Sequence, residues 1–157
     1  MILISHRGNV NGKQHDKENH PNYIDNALNL GYDVEIDVWV IEGTYYLGHD
    51  EPQYIITQHW LNERKNKLWI HCKNLEAIEW FFLMKGFNYF WHETDCYTLT
   101  SKGIGWVYPG KIPYSNSIVV MPEDTDLYDF KPEYIKEVYG ICTDKVIYYK
   151  NILWKKH

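Results

Sequence analysis

The sequence lacks the features of a disulfide-rich, zinc-binding or membrane-spanning chain. Its 157 residues include only three cysteines, which are odd in number, far apart and without a Cys-x-x-Cys pair, so neither a disulfide framework nor a zinc knuckle is indicated. The amino-terminal string MILISHRG is apolar for only four positions, which is too short for a signal peptide or a membrane span. We therefore expect a soluble, cytoplasmic protein with no integral membrane segment.

The sequence also lacks an excess of positive charge, since its formal net charge at pH 7 is −5. This balance disfavours nucleic acid and anionic membranes as partners. It is compatible with a small phosphorylated substrate, because a bound divalent cation reverses the local field. Hydrophobic residues make up 45% and charged residues 24%, which is typical of a globular chain. The length suits one domain spanning residues 1–157, and nothing in the sequence specifies an oligomeric state.

The hydrophobic pattern alternates between strands and helices, without an internal repeat or a linker. In the first half, the pattern predicts strands at residues 1–5, 33–40, 45–47, 68–72 and 88–92, and helices at 21–31, 57–65 and 75–85. After residue 92 the helical pattern fades, and the prediction is short strands at 97–100, 104–108, 117–121 and 140–143, with helices at 132–139 and 146–154.

Strands that alternate with helices indicate parallel βαβ units. A full eight-fold barrel usually needs roughly 200 residues or more, and this chain is shorter. We therefore predict an α/β fold in the form of a reduced or incomplete TIM-type (β/α) barrel, with helices lost in its second half. A doubly wound open sheet is the alternative.

Two acidic residues share one face of the predicted strand DVEIDVWV at residues 33–40. Glu35 and Asp37 are two positions apart, so they point away from the face that carries the valines. Adjacent carboxylates repel each other unless a cation lies between them. A hard divalent metal ion such as Mg²⁺ or Ca²⁺ prefers such ligands. The alternative is a solvated strand face that happens to carry two acids.

Other polar residues follow the predicted strands directly. His6 and Arg7 come after the first strand, and His49 and Asp50 come after the short strand at 45–47. Because barrel enzymes carry their active sites at the carboxyl ends of strands, these side chains can converge on one rim. Paired histidines serve as general acid and base, and an arginine fork matches phosphate oxygens. These are the groups needed to cleave a phosphodiester.

The order of these elements resembles the amino-terminal half of the glycerophosphodiester phosphodiesterase family, in the phosphatidylinositol-phospholipase-C-like barrel group. The matching elements cover about the first third of the chain and are HRG at 6–8, EN at 18–19, a helix with Ala27 and Gly31, EIDV at 35–38 and GHD at 48–50. The resemblance implies the following roles: His6 and His49 as acid and base, Arg7 as phosphate ligand, Glu35 and Asp37 as metal ligands, and Glu18 and Asn19 as supports of the loop around Arg7.

The next element of the family pattern, Glu-x-Lys at the end of a strand, is altered here. Residues 71–73 read His-Cys-Lys, so Lys73 matches the phosphate-contacting lysine while His71 replaces the third acidic metal ligand. If His71 is a ligand, its imidazole suits Mn²⁺ or Zn²⁺ better than Mg²⁺ or Ca²⁺. The alternatives are that Glu93 or Asp95 takes the ligand's place, or that the metal is weakly held or absent.

The second half resembles the family only through Gly140, Thr143 and Asp144, which look like its closing strand. His92, with Glu93 and Asp95, lies at the carboxyl end of a predicted strand, and the three form a second tier of site candidates. Trp106 is a candidate substrate-binding residue that stacks on a ligand, as is Tyr108, with core packing as the alternative for both.

The predicted function is a metal-dependent phosphoric diester hydrolase of lipid metabolism that cleaves a small glycerophosphodiester with two histidines. No long apolar loop is evident, which favours a soluble substrate over a lipid. The alternatives are a related phospholipase D-like enzyme acting on another phosphodiester, and an inactive phosphate-binding module of the same fold.

Overall fold

The computed structural model describes residues 1–126 and 133–154. The strands are β1 (Ile2–His6), β2 (Asp33–Ile41), β3 (Thr44–Leu47), β4 (Tyr54–Ile56), β5 (Leu68–Cys72), β6 (Asn88–Phe90), β7 (Tyr97–Leu99), β8 (Gly105–Val107), β9 (Ser117–Val120) and β10 (Gly140–Thr143). The helices are α1 (Pro21–Asn29), α2 (Gln58–Arg64), α3 (Leu75–Leu83), α4 (Glu133–Lys136) and α5 (Val146–Leu153), with a 3₁₀ helix at Pro122–Asp124.

All the strands belong to one mixed sheet with a continuous parallel part. Hydrogen-bonded neighbours follow the parallel order β6-β5-β2-β1-β10-β9-β8. The antiparallel strands β3 and β4 extend from the carboxyl half of β2, and β7 pairs antiparallel with β8. The predicted α/β class is confirmed in this form.

The sheet curls so that the two ends of the parallel order approach each other. The ring of Trp106 on β8 stacks on that of Phe90 on β6, with centroids 4.4 Å apart. Near this junction the amide of Ser101 donates to the carbonyl of Tyr89 over 2.7 Å. A sheet curled in this way is compatible with an incomplete barrel.

The strict alternation of β2 divides the interior into two layers. Val34, Ile36 and Val38 pack outward against α1, α2 and α3 in one apolar cluster, and burial of each such side chain contributes about 1.5–3 kcal/mol. Glu35 and Asp37 point to the opposite face, as predicted. That face is the inside of the curl and is not solvated, because these two residues are only 3% and 0% exposed.

The first helix begins at the predicted residue, Pro21, and ends at Asn29, two residues before its predicted end. Pro21 occupies the first turn, where its missing N–H has no helical partner to lose, and the side chain of His20 caps the helix by accepting from the amide of Asn22. The backbone of Gly31, with φ of +94°, then turns into β2. His20 is therefore a helix cap.

Among the described residues, the second half has fewer α-helices than the first, as predicted. Residues 91–116 contain no helix, and they run from β6 through β7 and β8 to the loop before β9. The prediction of a strand through His92 is wrong in its end point: β6 stops at Phe90, and the carbonyl of Trp91 instead accepts from the hydroxyl of Thr98. Residue 132 of the predicted helix at 132–139 lies outside the described residues, and the predicted carboxyl end is wrong: α4 ends at Lys136, and residues 137–139 form a turn that leads into β10. In the described parts of the chain, no helix combines the length and apolar character needed to cross a bilayer.

Candidate active site

The parallel strands direct their carboxyl ends toward a cavity of about 520 Å³. His6 is the last residue of β1, and Lys73 and Asp144 directly follow β5 and β10. The cavity is lined by six of the predicted site residues, namely His6, Arg7, Glu35, His49, His71 and Trp106. Asp37 and Lys73 contact these residues from beside the cavity.

Asp37 is the fully buried centre of the site. Its Oδ2 accepts from the side-chain amide of Asn19 over 2.8 Å, and the backbone amide of Asp37 donates to the side-chain oxygen of Asn19 over 3.0 Å. Its Oδ1 lies 3.0 Å from Nδ1 of His71 and 3.2 Å from Nδ1 of His49. Burial opposes ionisation, but the hydrogen bonds from His49 and His71 and the charge of Arg7 outweigh it and hold the pKa of Asp37 well below its usual range.

The pKa of Glu35 shifts in the opposite direction from that of Asp37, although the two residues are only two positions apart on the same strand. Its Oε2 is 3.9 Å from Nε2 of His6, too far for a hydrogen bond, and it has no hydrogen-bond partner among the described residues. Burial, reinforced by the charge of Asp37, raises the pKa of Glu35 despite the attraction of His6 and Arg7. A buried carboxylate oxygen without a partner is costly, and a cation beside it removes that cost.

One ligand atom each from Glu35, Asp37 and His71 lies within 4.8 Å of the others. Two carboxylates and an imidazole in this arrangement fit a divalent metal ion. His71 thus stands beside the two acids, where the sequence left the third ligand open. Glu93 and Asp95, the alternatives for that place, are both exposed and are not among the described residues that line the cavity.

A second group of possible ligands, made of His6, Glu18 and Asp144, is equally compact. Here the acids already have partners. The side-chain amide of Asn9 donates to both carboxylates, over 2.8 Å in each case, and Nδ1 of His6 lies 2.8 Å from Asp144. This second group is therefore a hydrogen-bonded network that shapes the loop after β1.

Asp144 orients the ring of His6. Burial lowers the pKa of His6, but the hydrogen bond to Asp144 and the charge of Glu35 outweigh burial, so the pKa is raised above its ordinary value. Burial likewise opposes ionisation of Asp144, and the hydrogen bond with His6 outweighs it and lowers the pKa of that carboxyl. No such role for Asp144 was predicted. The feature of the sequence that could have indicated this role is the position of Asp144, an acid directly after the short buried strand β10.

Arg7 is held by the loop residues that the resemblance assigned to it. Its backbone is left-handed, with φ of +52°, and its carbonyl accepts from the amide of Asn19 over 3.1 Å. Its guanidinium contacts Glu18 at 3.2 Å, and its Nε lies 3.0 Å from Oδ2 of Asp37 without an aligned hydrogen bond. The negative charges of three acids raise the pKa of Arg7 and outweigh the effect of burial. Asp37 contributes most, followed by Glu35 and Glu18.

His49 lies at the mouth of the cavity and shares its Nδ1 between two neighbours. This nitrogen is 2.7 Å from Nη2 of Arg7 and 3.2 Å from Asp37. A single ring nitrogen either accepts from the arginine or donates to the carboxylate, so the two contacts are alternatives that depend on the tautomer. Nζ of Lys73 approaches the same nitrogen at 3.5 Å. Arg7 at the cavity wall and Lys73 beside the cavity therefore both approach this imidazole.

Gly48 allows the chain to place His49. Its φ is +150°, and a Cβ at this position would overlap the carbonyl oxygen of Glu51. The carbonyl of Gly48 also accepts from the indole N–H of Trp39 over 2.7 Å. The glycine of the GHD string is thus required by the close approach of two backbone segments.

A column of rings forms one wall of the cavity. Phe90 stacks on His71 with centroids 5.1 Å apart, and His71 stacks on His92 at 4.6 Å. Trp106 continues the column at the floor, where it is buried against Phe90, and the half-exposed Tyr108 meets His92 edge-on at the rim. Burial, together with the charges of His71 and Lys73, lowers the pKa of His92 to about 4. Trp106 therefore both packs the interior and lines the cavity.

No protein-family model, no curated protein and no solved structure matches this chain. The case for a function therefore rests on the residues of the cavity and on their geometry.

Proposed function

We propose that this protein is a metal-dependent phosphodiesterase that cleaves a small glycerophosphodiester-like substrate. The observation that carries the proposal is the convergence of two histidines, two cations and two buried carboxylates on one cavity at the carboxyl ends of parallel strands. Within this proposal the curled sheet is a reduced TIM-type barrel, whose active site belongs at that end.

In the proposed reaction an oxygen nucleophile, either a neighbouring hydroxyl of the substrate or water, attacks phosphorus. One histidine takes the proton of the nucleophile, and the other gives a proton to the leaving alcohol oxygen as its bond to phosphorus breaks. The two imidazoles thereby exchange protonation states. His6 is the better oriented of the pair, because Asp144 fixes its Nδ1 and leaves Nε2 toward the cavity.

Binding of the phosphate is assigned to Arg7, which lines the cavity, and to Lys73, which lies beside it; the charged groups of both approach His49. A guanidinium pairs with two phosphoryl oxygens at once, and an ammonium adds a point charge. Glu35, Asp37 and His71 would hold a divalent ion, which supplies charge stabilisation at the phosphoryl oxygens. Trp106, at the floor of the cavity, offers a flat apolar surface to the alcohol part of the substrate.

An inactive phosphate-binding module is the second candidate, and one observation favours it. Asp37 is already neutralised by Arg7, His49 and His71, so the site has an internal substitute for a metal ion. Such a protein would bind phosphate through its cations but would not turn over a diester. A related phospholipase D-like enzyme would share the chemistry and differ only in the alcohol that it releases.

The test is a hydrolysis assay with several glycerophosphodiesters, bis(p-nitrophenyl) phosphate and a lysophospholipid. Each is measured with EDTA, Mg²⁺, Ca²⁺ or Mn²⁺ in wild type, His6→Ala and Asp37→Asn. His59→Ala, whose side chain is 82% exposed on α2, is the matched histidine control. We expect metal-dependent turnover that both site variants lose by at least about 100-fold and that the control retains. Folded protein without turnover under every condition refutes the enzyme and leaves the binding module.

A further inference from the structure

We propose that Nδ1 of His71 is a metal ligand and that it makes the site selective for a borderline transition metal ion over Mg²⁺ and Ca²⁺. The preferred class is Mn²⁺, Co²⁺ and Zn²⁺. This inference rests on the proposed function, whose metal site it specifies, and it follows from how the sheet and the ring column hold one imidazole.

The sheet places His71 beside the two acids. In the parallel register of β2 and β5, Asp37 is the partner of His71, so their side chains leave the sheet next to each other on the inner face. His71 is 7% exposed, and its Nδ1 lies 3.0 Å from Oδ1 of Asp37. The imidazole therefore reaches the same small volume as the carboxylates.

The ring of His71 is fixed in orientation. It lies between the ring of Phe90, at an interplanar angle of 8°, and the ring of His92, at 5°. This stacking leaves Nδ1 facing the acids and Nε2 facing the backbone carbonyl of His92, 3.4 Å away. An imidazole that binds a metal through one nitrogen typically donates its other N–H to a carbonyl or carboxylate. In the ion-free site Nδ1 donates to Oδ1 of Asp37, 3.0 Å away. When an ion binds, the proton moves to Nε2, where the carbonyl of His92 can accept it, and Nδ1 offers its lone pair to the ion.

An independent observation points to a cation in the same place. Oε2 of Glu35 is buried and has no hydrogen-bond partner among the described residues, although Glu35 is only 3% exposed. Its ligand atom lies within 4.8 Å of those of Asp37 and His71. A cation that touches all three groups satisfies this oxygen and removes the repulsion between the two carboxylates.

The donor set determines the class of metal. Mg²⁺ and Ca²⁺ select oxygen ligands, whereas imidazole nitrogen favours transition ions such as Co²⁺ and Zn²⁺; Mn²⁺ suits the two carboxylates and, as a transition ion, also accepts the imidazole. Thiolate ligation is absent from this site in the described residues: Cys72 packs in the apolar cluster under the helices, where burial raises the pKa of its thiol. A site of two carboxylates and one imidazole, without thiolate, suits ions between the hard and the soft classes.

The experiment measures metal affinity directly, with wild type, His71→Glu, His71→Gln and His59→Ala. Competition against a chromogenic chelator gives the dissociation constants for Mg²⁺, Ca²⁺, Mn²⁺, Co²⁺ and Zn²⁺, and circular dichroism in EDTA verifies that each variant is folded. Pulsed electron paramagnetic resonance of the Mn²⁺-loaded protein reports ¹⁴N coupling from a bound imidazole. His71→Gln keeps a neutral side chain, so it remains informative if the additional acid of His71→Glu prevents folding.

We expect wild type and His59→Ala to bind Mn²⁺ and Co²⁺ at least about tenfold more tightly than Mg²⁺, and to show ¹⁴N coupling. Both His71 variants should lose that coupling and bind Co²⁺ at least about tenfold more weakly, while His71→Glu shifts the preference toward Mg²⁺ or Ca²⁺. Wild type that binds Mg²⁺ or Ca²⁺ as tightly as Mn²⁺, or that shows no ¹⁴N coupling, overturns this inference and leaves the phosphodiesterase intact. Folded wild type that binds no divalent ion overturns the metal-dependent enzyme as well.

Discussion

Replacing Glu35 by Gln should stabilise the metal-free protein, whereas replacing Asp37 by Asn should destabilise it. Ligand atoms of the two acids are at most 4.8 Å apart, so two negative charges repel by at least about 3.5 kcal/mol at an effective dielectric constant of about 20. The attraction of Arg7 offsets part of this. We therefore expect Glu35→Gln to raise the free energy of unfolding by about 1–3 kcal/mol.

Asp37 should behave in the opposite way, because its charge is compensated. Its carboxylate accepts one hydrogen bond from Asn19 and contacts Arg7, His49 and His71. Removing one partner of a buried charge network leaves the other charges unpaired and costs about 3–5 kcal/mol. Two acids on the same face of one strand thus give changes of opposite sign.

The measurement is urea unfolding followed by tryptophan fluorescence in EDTA at about pH 9, well above the ordinary pKa of a glutamate or histidine side chain. Glu79→Gln, an exposed acid of α3, is the matched control and should change stability by no more than about 0.5 kcal/mol. A metal ion at 100 times its dissociation constant should add about 2.7 kcal/mol to wild type and much less to either site variant.

The pH dependence of the Glu35 effect provides an internal check. The folded-state pKa of Glu35 is raised above its ordinary value of 4.5, so the unfolded chain releases this proton first as pH rises. Wild type should therefore lose stability relative to Glu35→Gln from about pH 4.5 upward, through the folded-state pKa. A Glu35→Gln variant that is less stable than wild type at every pH would refute the view that this carboxylate lacks compensation.

Three further predictions concern the residues around the acids. Asp144→Asn should lower the pKa of His6, because it removes the carboxylate that favours the imidazolium, and an NMR titration of the ring protons in EDTA would show an unchanged midpoint if this assignment is wrong. Wild type should lose stability as pH falls from about 6.5 to 4, because the unfolded chain binds a proton there that folded His92, with a pKa of about 4, does not. His92→Phe should lose less stability over this range, and parallel urea titrations of wild type and variant measure the difference. Gly48→Ala should destabilise the fold by about 1–3 kcal/mol, because its Cβ would overlap the carbonyl oxygen of Glu51, and a variant within a few tenths of a kcal/mol of wild type would contradict that packing.

The amino-terminal half was predictable because its signals are local. The alternation in β2 correctly assigned the valines and the acids to opposite faces, and the residues that follow β1 and β3 converge on the cavity. Because side chains alternate strictly along a strand, burial of one face determines which residues point to the other face. The role of Glu35 and Asp37 as metal ligands remains a prediction, as does catalysis by His6 and His49.

Other features depend on contacts that no short pattern encodes. Asp144 reaches His6 from 138 positions along the chain, because β10 pairs with β1. The orientation of His71 depends on Phe90 and His92, which belong to the next strand and the loop after it. The strand β4 was missed, since Tyr54–Ile56 is a three-residue segment at the edge of the sheet and has no period of its own to detect.

The pairing of β1 with β10 determines when the site can form during synthesis. The other neighbour of β1 is β2, only about thirty residues later in the chain, whereas β10 begins at Gly140. Closing so long a loop is slow relative to the local pairings. Residues 1–90 can emerge from the ribosome and pair while His6 still lacks Asp144 and β1 has an open edge. Until β10 is synthesised, His6 and Asn9 both lack the carboxylate of Asp144, so the pairing of this late strand completes the site.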